Sequence, residues 1–177
     1  IYEDNKKSKI TINKKDQILC AKIRKGHFEG VLDVMNRLTK IINPDKIFMG
    51  EKDFQQLYLV KNFLKKKYKT KIISCRTIRG KNKIALSSRN FLLNSSSLNL
   101  AGKIYKKLKN IKKKINNKKD ISDYLMYSKK KLEMSLKIKI DYLELRNIKN
   151  LKISKTKNNS RLFIAYYLNN VRLIDNL

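Results

Sequence analysis

Between Val31 and Cys75 the apolar residues switch twice from a helical to a strand-like period, and this alternation constrains the fold most. Val31, Val34, Met35, Leu38, Ile41 and Ile42 recur at helical spacing and predict an amphipathic helix opened by Gly30. Asn43-Pro44 stops it, because the residue before proline avoids the helical region. Lys46-Ile47-Phe48-Met49 predicts a short buried strand ending at Gly50. Phe54, Leu57, Tyr58 and Leu64 then give a second apolar helical face. Asp53 followed three residues later by Gln56 forms an acidic variant of the capping box at its start. Lys71 to Cys75 predicts another strand. Helix–strand–helix–strand order implies an α/β unit with a parallel sheet and right-handed crossovers.

Near Asn90 the pattern changes. Leu98, Ala101, Ile104, Tyr105, Leu108, Ile111 and Ile115 predict a long amphipathic helix. A charged link from Lys112 to Asp120 leads to a second helix carrying Ile121, Tyr124, Leu125 and Leu132. Three strands follow, at Ile140 to Arg146, Arg161 to Leu168 and Val171 to Asp175. Lys155 to Ser160 reads as a loop, and Asn169-Asn170 suits a tight hairpin because Asn tolerates positive φ. The expected organisation is therefore an α/β domain over residues 1–90 and a small α+β domain over 91–177, with helices and a three-stranded antiparallel sheet. Residues 1–25 read as a loop with one candidate strand.

The net charge of +30 raises the question of a nucleic-acid partner. Most of the 44 basic residues are lysine, and Asn and Ile are frequent while Pro, Gly and Trp are scarce. An A/T-biased genome produces this profile without a polyanion partner. Arg24, Arg79, Arg89, Arg146 and Arg172 lie in or beside patterned segments, whereas the loose runs are lysine. No specific nucleic-acid partner is expected, although a basic face attracts ATP or stray RNA. No apolar run reaches the roughly 18–20 residues of a membrane span. Cys20 and Cys75 form no metal spacing and read as reduced thiols of a cytoplasmic protein. The first residues, Ile1-Tyr2-Glu3-Asp4, are neither an initiator Met nor a signal peptide, which predicts a piece of a longer chain.

Three short segments could carry chemistry. Gly50-Glu51-Lys52-Asp53 follows a strand and opens a helix, where backbone N–H groups and the positive end of the helix dipole favour phosphate. Gly50 allows close approach, Lys52 reaches a phosphate as a point charge, and Asp53 accepts from ribose hydroxyls. A capped helix with a solvated Lys52 fits the same four residues. Ser87-Ser88-Arg89 offers two hydroxyls and a guanidinium, suited to wrapping a triphosphate, or equally to a serine-rich turn before a helix. Gly26-His27-Phe28 holds the one histidine, so no Ser–His or His-based metal cluster is available. Gln55 and Gln56 lie in a first helical turn, where one amide could read a small acid or both could be solvated.

Taken together, Gly26-His27-Phe28-Glu29-Gly30-Val31, Gly50-Glu51-Lys52-Asp53-Phe54-Gln55-Gln56-Leu57 and Ala85-Leu86-Ser87-Ser88-Arg89-Asn90 resemble the pantoate–β-alanine ligases. Asp141 to Arg146 and Arg172 to Asn176 resemble that family's C-terminal domain. The resemblance implies a partial Rossmann-like domain of the nucleotidyltransferase superfamily followed by a C-terminal α+β lid domain. It implies a ligase of vitamin B5 and coenzyme A biosynthesis. Pantoate attacks the α-phosphate of Mg-ATP, giving pantoyl adenylate, and β-alanine displaces AMP to form pantothenate. On this basis Gly50, Glu51, Lys52 and Asp53 would hold the ATP ribose and phosphates, and Ile78 would offer backbone contacts to adenine. Leu86, Ser87, Ser88 and Arg89 would clamp the phosphates. Lys52 would stabilise the pentavalent phosphorus, Ser87, Ser88 and Arg89 would join it as catalytic residues by stabilising charge as pyrophosphate leaves, and Gln56 would grip pantoate. A homodimer is the family expectation.

Two departures stand out. The family has Asp-Gly just before its Leu-Ala-Leu-Ser-Ser-Arg region, where this chain has Asn82-Lys83. The family's N-terminal His-containing motif and its Asn-Pro-x-Gln-Phe segment are absent from these residues, which predicts that the 177 residues alone do not catalyse ligation. The competing readings are another nucleotidyltransferase, which would keep Ser-Ser-Arg but not Gln55-Gln56, and a basic nucleic-acid module, whose binding would fall steeply with salt.

Overall fold

A computed structural model describes residues 10–117 and 120–177. The described residues fall into two compact units, one reaching to Arg76 and the other comprising Thr77–Leu177. The domain division expected at about residue 90 therefore lies inside the second unit, because residues 77–90 pack with the sheet and helices that follow them.

In the first unit a short 3-10 turn, Lys14–Asp16, and a single helical turn, α1 (Cys20–Ile23), precede α2 (His27–Ile42). The candidate strand before residue 25 is not formed among the described residues, and residues 1–9 lie outside them. Helix α2 begins at His27, earlier than Gly30, because Gly26 at φ 76 turns the chain into it. It ends where expected: Asn43 takes the left-handed conformation at φ 46 and donates its N–H to the Thr39 carbonyl at 2.9 Å. The face it buries is carried by Phe28, Leu32 and Thr39, while Ile41 and Ile42 remain about 65% exposed. The predicted stripe is thus displaced by part of a turn.

Strand β1 (Lys46–Gly50) pairs in parallel with β2 (Lys71–Cys75), from Lys46↔Lys71 to Gly50↔Cys75. Helix α3 (Phe54–Leu64) makes the crossover between them and buries Leu57, Leu59, Val60 and Leu64. This βαβ order is the one the alternating periods predict.

The second unit opens with a hairpin-like segment, in which Arg79 bridges Ala85 antiparallel, and a 3-10 turn at Ser88–Leu92. Helix α4 (Ser95–Lys114) follows, capped by Asn94 Oδ1, which accepts from Ser97 N at 2.9 Å. Helix α5 (Ile121–Leu136) is capped in the same way by Asp120, accepting from Asp123 N at 3.0 Å. Of the charged link between them, residues 118 and 119 lie outside the described residues, and Lys112 to Lys114 continue α4. Strands β3 (Ile140–Asn147), β4 (Ser160–Leu168) and β5 (Val171–Asn176) form an antiparallel sheet in the order β3-β4-β5. Asn169 and Asn170, at φ 47 and 63, make the predicted tight turn between β4 and β5. One face of this sheet closes against α4 and α5 over a continuous apolar core that includes Ile104, Leu108, Leu145, Leu162 and Ile164.

Candidate functional site

In the first unit the carboxyl ends of β1 and β2 lie side by side at Gly50 and Cys75, the end of a parallel sheet where ligands bind in open α/β folds. A Cβ placed on Gly50 would meet no atom within 4 Å, so its backbone is open to close approach. The chain then turns through a 3-10 turn, Glu51–Asp53, into α3. Glu51, Lys52 and Asp53 are all half-buried. Asp53 makes no side-chain cap, so the expected capping box with Gln56 does not form. The added 3-10 turn carries the Asp53 carboxylate back toward Lys52, whose Nζ lies 3.3 Å from Oδ1. With Asp53 48% exposed, this is a surface-type ion pair of the kind that contributes roughly 0–1 kcal/mol.

The two adjacent glutamines part company. Gln55 is 6% exposed, and its amide is fully engaged. Its oxygen accepts from Cys20 N at 3.0 Å, and its nitrogen donates to the carbonyls of Ile18 at 2.7 Å and Asp16 at 3.3 Å. It pins the irregular segment before α1 onto α3, a structural duty the sequence did not reveal. Gln56 turns to a different side of the helix and is half-buried. His27, the first residue of α2, is half-buried beside Phe28, with ring centroids 5.0 Å apart. A cleft of about 440 Å³ beside this helix start is lined by Lys22, Lys25, Gly26 and Glu29 among others. The two lysines escaped the sequence reading because they sit in one of many lysine-rich stretches.

In the second unit Ile78, Leu86 and Ser87 to Arg89 occupy one continuous element. The hairpin is closed by Leu86 N donating to Ile78 O at 3.0 Å and Gly80 N to Ile84 O at 2.9 Å. Ile78 is 72% and Leu86 51% exposed, and Ile78 O and Leu86 N are spent on each other. Ser87 Oγ accepts from Arg89 N at 3.1 Å, which keeps its own hydroxyl proton available for donation. Ser88 is exposed. Arg89 commits Nη1 to the Arg172 carbonyl at 2.6 Å, one of the five donors a guanidinium carries. Asn90 braces the turn from below, its Nδ2 donating to Ala85 O at 3.2 Å.

The Asn82-Lys83 departure has a clear geometry. Asn82 Oδ1 accepts from Ile84 N at 3.2 Å, as an aspartate would, and Nδ2 adds a bond to Leu98 O at 3.2 Å. Lys83 stands at φ 70, in the left-handed region where glycine carries no steric cost.

Among the described residues no group of three His, Cys, Asp or Glu could hold a metal ion, and no helix is long and apolar enough to cross a membrane.

The chain is similar to the pantothenate synthetases of Flavobacterium psychrophilum, at 37% identity over 88% of this chain and 56% of that protein, and of Buchnera aphidicola, at 38% over 94% and 60%. It spans less than two thirds of the length of these relatives. The crystal structure of pantothenate synthetase from Thermus thermophilus matches 99% of this chain and 65% of its own, with a TM-score of 0.89 at 25% identity. That of the Francisella tularensis pantoate-beta-alanine ligase, complexed with beta-gamma ATP and beta-alanine, matches 95% and 56% with a TM-score of 0.72 at 35% identity. The model of the pantoate-beta-alanine ligase family covers residues 1–177, and the chain belongs to that family.

Proposed function

We propose that this chain serves the ATP-dependent condensation of pantoate with β-alanine to pantothenate through a pantoyl-adenylate intermediate. The observation that carries the reading is Gly50–Asp53 at the carboxyl end of a parallel strand in a member of this family, with an open backbone at Gly50 and the Lys52 ammonium in the turn that follows it. The pantoate carboxylate attacks the α-phosphorus of Mg-ATP, and pyrophosphate leaves. The β-alanine amine then attacks the acyl carbon, and AMP leaves. Magnesium enters as part of the nucleotide substrate.

Each residue has a task its position suits. Gly50, Glu51 and Asp53 contact the ribose and phosphates, and Lys52 stabilises charge at the pentavalent phosphorus. Ile78 offers backbone contacts to adenine. Leu86, Ser87, Ser88 and Arg89 clamp the phosphates, with the Ser87 proton and the uncommitted Arg89 donors as hydrogen-bond sources. Gln56, and not the occupied Gln55, grips pantoate. Positioning and preorganised charge supply much of the rate in such a reaction. The working protein is a cytoplasmic homodimer in this reading, which sedimentation analysis tests directly.

The deciding experiment is Lys52→Ala in the active enzyme, followed by pyrophosphate release with pantoate and ATP. Adenylate formation falls about 10²-fold or more, as for loss of one key donor to the developing charge. A rate near that of the unaltered enzyme removes Lys52 from the chemistry.

A further inference from the structure

The hairpin bearing Ile78 and Leu86 is held by one guanidinium. Arg79 Nη1 and Nη2 meet Asp175 Oδ2 and Oδ1 at 2.7 and 2.8 Å, a two-pronged pair with the carboxylate 8% exposed. The same nitrogens reach Lys83 O at 3.2 Å, across the hairpin, and Asn176 O at 3.4 Å, on β5. The Arg79 guanidinium carbon also lies 4.1 Å from the centre of the Tyr105 ring of α4. One planar group thus joins both arms of the hairpin to β5 and α4, which a lysine ammonium cannot do.

Burial works against the Arg79 cation, but hydrogen bonding and attraction to Asp175 more than offset it, and its pKa lies above the ordinary arginine value. Burial, reinforced by Asp175, likewise pushes the neighbouring Tyr166 phenol up, so it stays neutral beside the pair.

Two further contacts fix the same element. A Cβ on Gly102 of α4 would lie 2.3 Å from Asn82 O, so the hairpin tip rests backbone to backbone on the helix. Strand β5 also receives Arg89 through the Arg172 carbonyl, and Arg172 is itself anchored by Nε donating to Asp141 Oδ2 at 2.7 Å. Strand β5 is therefore the platform for both ends of the segment from Ile78 to Arg89.

We propose that Arg79 and Asp175 are positioning residues: their pair fixes the hairpin on β5 and so sets where Leu86 to Arg89 present their donors to a triphosphate. The proposal rests on the ligase reading above.

Its test uses the active enzyme with Arg79→Lys and Asp175→Asn, and two readouts taken well below the melting temperature. One is amide hydrogen exchange at Leu86, Arg89 and Asn90, with Leu132 of α5 as the internal reference. The other is ATP affinity by calorimetry. Exchange at the three hairpin-side amides rises about tenfold while Leu132 is unchanged, and ATP affinity falls about tenfold, as small misplacements of a binding group produce. Gly102→Ala, which displaces the hairpin from its tip, gives the same pattern and serves if the charge variants do not fold. Local loosening with ATP affinity unaltered overturns the positioning role. A rise in exchange that includes Leu132 overturns it as well, leaving a pair that serves the whole fold. An unaltered enzyme that binds no ATP is a different failure: it sinks the nucleotide reading itself, and the positioning role with it.

Discussion

The two units hold their candidate site residues in opposite ways. In the first, Lys52 faces a half-exposed Asp53, and the parallel sheet has two strands among the described residues, with Phe48 66% exposed. In the second, the hairpin and the Ser87–Arg89 turn are braced by buried arginine contacts on a sheet whose core is closed by two helices. The physical reason is strand pairing. An antiparallel sheet needs one covered face, which α4 and α5 provide, whereas a parallel sheet is stable when both faces are covered. The comparison teaches that the Ser87–Arg89 turn takes its geometry from contacts with β5, whereas Gly50–Asp53 takes its geometry from a strand end and the 3-10 turn that follows it.

Three substitutions break or sharpen this contrast. The largest stability effect belongs to Gln55→Leu, because the less closed unit depends on that amide. It removes the bonds to the Cys20 N–H and to the Ile18 and Asp16 carbonyls, of which Ile18 O keeps Ala21 N as a donor, costing about 2 kcal/mol in denaturant unfolding. A loss below about 0.5 kcal/mol, within the range of ordinary surface changes, shows that water replaces the amide and that the segment before α1 is not pinned. Next is Lys83→Gly, which relieves a left-handed non-glycine residue and stabilises the second unit by about 1 kcal/mol. A melting temperature that fails to rise means the loop's unfolded-state entropy outweighs the relief.

The smallest effect concerns Lys112. Burial, then the nearby Arg161 and Lys157 cations, holds its pKa below the usual 10.5. The unfolded chain therefore binds this proton more readily than the folded one. The charged form opposes folding at neutral pH, and stability is regained as pH rises through the folded pKa toward 10.5. Lys112→Met removes that rise and stabilises by no more than about 0.5 kcal/mol near neutral pH, since the site is half open to solvent. Identical stability–pH curves for the two proteins rule out this charge crowding.

Much of the fold was legible because periodicity reports it directly. The βαβ order, the helix over Ser95–Lys114, and the three C-terminal strands all follow from apolar spacing. Asn43 and Asn169-Asn170 are turn signals with a mechanism, and both turns form. The misreadings share a cause. Helix α2 starts at His27 because Gly26 adopts positive φ, and Asp53 does not cap because a 3-10 turn intervenes. Such choices depend on backbone angles that residue types permit but do not compel.

Sequence by itself determined the family, and it singled out Gly50 to Asp53 and Leu86 to Arg89 as candidate segments because they are local strings whose residue types suit phosphate. It also set which stretches could form helices and strands. Only the tertiary structure decided which of two neighbouring glutamines is available, because successive helical positions point to different sides and burial claims one of them. Likewise it alone paired Arg79 with Asp175, distant residues whose partnership exists because the hairpin and β5 come to lie against each other.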